Sequence, residues 1–318
     1  MSEPLRIDNT FCEDFRRCFK RGDYRHNHGY TTQYTASPLS FGGAIHAGLA
    51  HFYQGNGKED ACAVALKGWR VISEEVNEDE WRTPAKALEV LDQYFSLPAA
   101  ELPVLSGVNG QPLVEIDAVY PLLTVSDPQR IRDKLAACGY SDVLYVGLID
   151  LMITWMGKPA ICDHKTTSGI YTPKTEPSNI RPQFWDGFRP NKQMIGYLWT
   201  VSQYMKEPIT TVVINALGVS KANNRNCFER RDFLFTPSEV EEWRRDTVSL
   251  VEQYLDCKLN GYWPTNGAPY YCHSYGGHCP YVELCSRPPE LRAEFTHLYK
   301  VDFWNPLEAR KKEAANLS

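Results

Sequence analysis

Two apolar segments separated by one short turn constrain this chain more than any other feature. Val143–Trp155 and Pro159–His164 are joined by Met156-Gly157-Lys158, and the pattern predicts a β-hairpin. Such a hairpin brings Asp150 and Asp163 side by side. Asp163 and Lys165 stand two apart on the second strand, so both side chains leave the same face. Two carboxylates and one ammonium then converge on a point at the end of a sheet.

The surrounding pattern supplies the rest of a fold. Upstream, Ile45, Leu49 and Phe52 recur at helical spacing within Leu39–Gln54, a helix that carries His46. Helices are also expected over Lys58–Ser73 and over Pro84–Phe95, the latter opened by Thr83-Pro84 as N-cap and first-turn proline. Pro112–Tyr120 alternates like a strand. After the hairpin come a helix over Asn191–Met205 and strands at Thr211–Leu217 and Cys227–Phe235. Thr236-Pro237-Ser238-Glu239 is a capping box that opens a long helix ending at Asn260-Gly261. This order predicts an α/β or α+β core, a central mixed sheet flanked by helices. One domain is expected over 1–318, with a core at 39–260 and terminal segments at 1–38 and 261–318.

The carboxylate–lysine group has a definite chemistry. Hard divalent cations such as Mg²⁺ prefer carboxylate oxygens and polarise a phosphoryl oxygen. A lysine beside them orients or deprotonates the attacking water and offsets developing negative charge. Asp-x-Lys alone is a common triplet, and its surroundings carry the case. His46 lies in Gly43-Ala44-Ile45-His46, and Gln193 and Tyr197 lie one helical turn apart on a shared helix face.

The order G-x-x-H, G-x-x-D, D-x-K-T, Q-x-x-x-Y resembles the RecB-like branch of the PD-(D/E)xK nuclease superfamily. That group includes helicase–nuclease subunits, CRISPR-associated adaptation nucleases and phage exonucleases. The resemblance implies a restriction-endonuclease-like core. It makes His46, Asp150 and Asp163 ligands of Mg²⁺ or Mn²⁺, with the backbone carbonyl of His164 as another, and Lys165 the catalytic lysine. Gln193 and Tyr197 would support the site and contact DNA, and Glu115 is similar to an extra acidic residue of some members. The second metal-binding carboxylate is Asp163 where many relatives have Glu.

The chain has ten cysteines and no apolar leader at its start, which points away from a disulfide framework. Cys272, Cys279 and Cys285 crowd into a Gly-, Tyr- and Pro-rich tail with C-x6-C-x5-C spacing. Three soft ligands so close suit Zn²⁺ or an iron–sulfur cluster, and either needs a fourth. In iron–sulfur members of the same superfamily one cysteine precedes the core and three follow it. Cys18, in Phe15-Arg16-Arg17-Cys18-Phe19-Lys20, resembles that first cysteine, with Cys12 as the alternative. The implied [4Fe–4S] cluster would clip the chain ends together. Zinc held with His273 or His278 is the rival.

The net charge of −5 excludes a protein coated in basic charge, though an acidic pocket can adjoin a local basic groove. Candidate phosphate contacts are Arg16, Arg17, Lys20, Arg21 and Arg25, then Arg225, Arg230 and Arg231. No stretch approaches the ~18 apolar residues of a membrane span, so a cytoplasmic location is expected. The expected function is that of a DNA exonuclease in recombination or repair, working with a helicase or recombination protein. The alternatives are a weakly catalytic DNA- or protein-binding module of the same fold and a zinc-stabilised interaction protein.

Overall fold

Six strands form one mixed sheet: β1 (Leu5–Ile7), β2 (Val114–Pro121), β3 (Val143–Trp155), β4 (Lys158–Thr167), β5 (Thr211–Gly218) and β6 (Cys227–Leu234). The order is β1-β3-β4-β5-β6, with β2 also paired to β3. The principal helices are α1 (Asn9–Arg17), α2 (Ser37–Tyr53), α3 (Lys58–Ser73), α4 (Pro84–Phe95), α5 (Gln129–Ala137), α6 (Lys192–Met205) and α7 (Pro237–Asn260). The computed structural model describes residues 2–33, 35–73, 76–77, 81–174, 177–274 and 277–307. The end of the terminal segment expected at 261–318 lies outside them. The sheet and its helices are the α/β class expected from the sequence.

The chain divides into two compact units. One takes the described residues within 1–33, 119–146 and 242–309, the other those within 34–118 and 147–241. In the second unit, β3 and β4 pair antiparallel with Leu151 opposite Cys162 and Trp155 opposite Lys158. Met156 and Gly157 both have positive φ, 49° and 78°, as a type I′ hairpin turn requires. The turn is therefore one residue tighter than the sequence predicts, since Lys158 already pairs. β4 then runs parallel to β5, with Asp163 opposite Ile214, and β5 antiparallel to β6.

Apolar residues of α2, α3 and α4 make one core with the inner sheet positions. Phe41, Ile45, Leu49, Leu91 and Tyr94 meet Leu151, Ile153, Val213 and Leu217. The helices begin where their caps dictate. Thr83 accepts from the Lys86 N–H and Asn191 from the Met194 N–H. Thr236 and Glu239 form the reciprocal box, each bonding the other's backbone N–H.

In the first unit, β1 lies parallel to the opening of β3, with Leu5 opposite Val143. Phe11 and Phe15 of α1 pack edge-on against Tyr254 of α7. A buried pair between Arg244 and Asp127 (2.8 Å) ties α7 to the segment before α5. Tyr24, Tyr281 and Leu284 form a second, small core, with Tyr30, Phe295 and Tyr299 around it. The sequence pattern does not reveal β1 or α5. β1 is only three residues long, and α5 buries only Ile131 and Leu135 among charged neighbours.

Gly147, at the start of the second unit's part of β3, is a point of close approach. A methyl group added there would lie 2.9 Å from Thr200 Oγ1 and 3.1 Å from its Cβ. Thr200 is fully buried and bonded to the Gly196 carbonyl, so it has no room to turn aside. Gly147→Ala is expected to destabilise the fold by about 1–3 kcal/mol through overpacking, read as a lower midpoint in urea unfolding. An unchanged midpoint would show that α6 shifts freely against β3.

Candidate functional site

Strand alternation builds this site. On β4, Asp163 and Lys165 face one way and His164 the other. Lys165 Nζ lies 2.5 Å from Asp163 Oδ2, and the aspartate is only 2 % exposed. On β3, buried Asp150 accepts the His164 backbone N–H at 2.9 Å through Oδ2. The same oxygen lies 3.5 Å from His46 Nδ1. α2 buries Ile45 and Leu49 in the core and leaves His46 on the side toward β3. The β3–β4 hairpin thus brings Asp150 near Asp163 and Lys165, and α2 sets His46 beside Asp150.

His164 enters a buried network on the other face of β4. Its Nδ1 lies 2.9 Å from Asn215 Nδ2, and its ring stacks on Tyr53 at 5.5 Å. Asn215 also donates to the Tyr94 hydroxyl (3.0 Å), and Arg230 donates to both Asn215 Oδ1 (2.8 Å) and Tyr94 (2.7 Å). Tyr53 and Tyr94 hydroxyls meet at 2.6 Å, and Tyr53 donates onward to the Ala100 carbonyl. Because polar groups this deep need partners, the network fixes β4 and with it the position of Asp163 and Lys165. The sequence pattern gave no sign of it: Asn215 and Tyr94 read simply as strand and helix residues.

Burial sets the electrostatics. Asp163 is pushed above the ordinary carboxylate range by desolvation, Lys165 opposing this and the Asp150 charge adding to it. His164 is held down to about 3, chiefly by burial, so its ring is neutral in all ordinary buffers. Two neighbouring buried carboxylates, on β3 and β4, favour a nearby cation.

A cleft of about 1080 Å³ opens over this point. His46, Asp150 and Lys165 line it, together with Glu115 and Asp117 from β2 and Trp81 and Arg82 from before α4. Glu115 has φ 53°, a left-handed conformation that costs a non-glycine residue energy in a strand and re-aims its side chain. Asp117 stands two residues on and lines the same cleft, and the strand alternation Glu115-x-Asp117 is its signal in the sequence. Gln193 Nε2 donates to the Tyr197 hydroxyl at 2.8 Å, as their helical spacing allows. Neither is among the described residues that line the cleft.

In the first unit, the Cys285 thiol is pushed up to about 11, first by burial. Arg292 opposes the shift, and Cys18, Cys279 and Cys272 add to it. Those four sulfurs are therefore electrostatic neighbours. Cys12 is fully buried, with Arg16, Asp8 and Glu13 around it, and belongs to the packing of α1. The Asn266 N–H donates to Cys18 Sγ at 3.4 Å. His273 and His278 face each other across a short hairpin, Nδ1 to Nδ1 at 3.0 Å. Among the described residues no three His, Cys, Asp or Glu side chains stand as a formed metal-holding group.

Several of the basic residues expected at phosphate are engaged within the protein. Arg21 pairs with Asp14, Lys20 with Asp23, and Arg16 donates to Thr247. Arg230 serves the buried network, and Arg225 donates to the Pro173 carbonyl. Arg231 lies over the Trp185 ring at 4.5 Å.

The sequence model of the PD-(D/E)XK nuclease superfamily matches residues 10–286 of this chain. A candidate exonuclease from Eubacterium rectale, known from its crystal structure, is similar over 82% of this chain and 84% of its own, with 12% identity and a TM-score of 0.46. A comparison with curated proteins gives no match. Among the described residues no helix is long and apolar enough to cross a membrane.

The depressed His164 pKa has a consequence for stability. The unfolded chain takes up a proton near pH 6.5 and the folded one only near 3, so this contribution is complete above about 6.5 and is lost as the pH falls toward 3. At about pH 4.5 the loss attributable to His164 is roughly 2–3 kcal/mol. Urea unfolding of wild type and His164→Gln at neutral and acid pH measures it, with a shallower pH dependence expected in the variant.

Proposed function

The chain belongs to the PD-(D/E)XK nuclease superfamily, and from that premise we propose that it is a Mg²⁺- or Mn²⁺-dependent DNA nuclease. The observation that carries this reading is one cleft lined by His46, Asp150 and Lys165, with buried Asp163 paired to the Lys165 ammonium. Asp150 and Asp163, with the His46 imidazole and the His164 carbonyl, are the donors for the cation. Their fit is supported by the raised pKa of Asp163, which an added positive charge would relieve. The cation, when bound, polarises a phosphoryl oxygen and lowers the pKa of water.

The chain's own residues account for the rest of the chemistry. Lys165 Nζ orients the attacking water and offsets charge developing on the phosphate. Asp163 holds that ammonium at the cleft floor, and the His164 N–H fixes Asp150. The hydrogen-bonded Gln193–Tyr197 pair supports the site and contacts DNA. Glu115 and Asp117 supply further carboxylates to the cleft. We assign the protein to the RecB-like branch, as a cytoplasmic exonuclease of recombination or repair that works with a helicase or recombination partner.

Cys18, Cys272, Cys279 and Cys285 are the proposed ligands of a structural [4Fe–4S] cluster that clips together the terminal segments 1–38 and 261–318, outside a catalytic core at 39–260. Their mutual influence on Cys285 supports this set over one containing Cys12. The close approach of His273 and His278 favours zinc as the second reading.

Two experiments test these assignments. Lys165→Ala is expected to fold and to cut end-labelled linear DNA roughly 10²–10⁴-fold more slowly, and chelation is expected to stop cleavage by the wild type. Cutting by the variant at the wild-type rate would remove Lys165 from the mechanism. Protein purified without air is expected to be brown, with a broad band near ~400 nm. A colourless protein with stoichiometric zinc would replace the cluster by zinc.

A further inference from the structure

In the first unit a buried group of charges lies beside the cysteines. Asp14 of α1 is buried; Arg21 Nε donates to its Oδ1 at 2.5 Å, and His26 Nε2 lies 3.1 Å from its Oδ2. Burial would raise the Asp14 pKa, but His26 and Arg21 outweigh it and hold the carboxyl below its ordinary range. It therefore stays an anion and fixes the guanidinium. Arg21 is itself mostly buried, with 22 % of its side chain exposed, and it also donates to the Cys279 sulfur. Arg292 donates to the Cys285 carbonyl at 3.4 Å, and its charge acts on the Cys285 sulfur. The Asn266 N–H donates to Cys18 Sγ. Three of the four cysteines thus each face a donor or a cation.

We propose that Arg21, held in place by Asp14, is the counter-charge of the four-cysteine centre and keeps the metal from leaving it. The inference rests on the metal-centre reading above and adds the residue that retains the metal. A neutral thiol is a weak acceptor and returns little to a guanidinium that has lost its hydration. A metal-bound thiolate carries charge and takes a far stronger bond. Four thiolates outweigh the positive charge of a [4Fe–4S] core and of Zn²⁺ alike, so the loaded centre is an anion in either case. A half-buried anion needs a partner that is both charged and directed. The guanidinium meets both needs, because its rigid fork can spend one edge on Asp14 and still aim another N–H at Cys279. Asp14 acts through Arg21 as a positioning residue, in the way that groups beyond a metal's own ligands orient those ligands.

The test times the departure of metal from full-length protein purified without air. Loaded protein is mixed with excess chelator, and loss is followed by bleaching near ~400 nm for iron or with a zinc-binding dye for zinc. Arg21→Gln is expected to lose metal roughly 10–100-fold faster than the wild type, the range by which affinity typically falls when a group bonded to a metal ligand is removed. Arg21→Lys, which keeps the charge, is expected to fall between the two. Arg21→Gln purified without metal, beside a loaded Arg21→Lys, is the same result at its limit. Because Arg21→Gln also leaves buried Asp14 without its cation, the double variant Asp14→Asn/Arg21→Gln is measured beside it and is expected to lose metal as fast as Arg21→Gln. Wild-type retention in Arg21→Gln overturns the proposal. So does recovery of retention in the double variant, which would trace the effect to the orphaned carboxylate, and so does Arg21→Lys losing metal as fast as Arg21→Gln. A colourless, zinc-loaded wild type whose Arg21→Gln form loses zinc faster removes the iron–sulfur reading and leaves Arg21 in its role; a brown protein whose variants all release iron at one rate does the reverse. A wild type that holds neither metal sinks both.

Discussion

Placing Asp150 and Asp163 among the buried apolar residues of a sheet sets the terms for the residues around them. A buried carboxylate loses its hydration, and here the raised pKa of Asp163 registers that loss. The fold answers with an ammonium at Asp163, a backbone N–H at Asp150 and an imidazole beside it. Each of these comes from a separate feature of the sheet: side-chain alternation along β4, pairing of β3 with β4, and α2 packed by Ile45 and Leu49. If β4 slipped by one residue, the aspartate and lysine would turn away together.

Register is therefore what the other face of β4 must guard. Hydrophobic packing alone tolerates small displacements, whereas a closed hydrogen-bond network does not. His164, Asn215, Tyr94, Tyr53 and Arg230 make such a network, drawn from β4, β5, α4, α2 and β6. A charged guanidinium near a neutral histidine also helps to keep that ring unprotonated. Arg230 is thus explained by its place behind the strand. Its charge faces the protein and not a phosphate.

Much of this was legible in the sequence because strands and helices have fixed periods. Asp163 and Lys165 share a face for the same reason that His164 does not, and Gln193 meets Tyr197 because four residues make one helical turn. Caps at Thr83 and Thr236 fixed where two of the helices begin. What could not be read depended on contacts that periodicity does not specify. The basic residues of 16–25 look like a patch until nearby Asp14 and Asp23 and distant Thr247 engage them. Asp117 lines the cleft beside Glu115, whose unusual backbone angle no periodicity announces. α5 escaped notice since its buried stripe is two residues wide.

The two candidate centres differ in ligand chemistry, and that difference keeps each selective. Carboxylate and carbonyl oxygens in the second unit suit hard cations, and thiolates in the first suit soft ones. Their structural demands differ as well. The carboxylates stand on β3 and β4 within a large apolar core, so that core can hold them in place before any cation arrives. Among the cysteines, Cys279 and Cys285 pack against a small core of Tyr24, Tyr281 and Leu284, and Cys272 and Cys285 end helices of only four residues. A metal joining Cys18 to Cys272, Cys279 and Cys285 closes a loop of most of the chain, where cross-linking removes the most freedom from the unfolded state. The proposed cluster therefore acts on stability, while the proposed divalent cation acts on the phosphate. Loss of the first should loosen the terminal segments, and loss of the second should leave the fold intact and the chemistry silent.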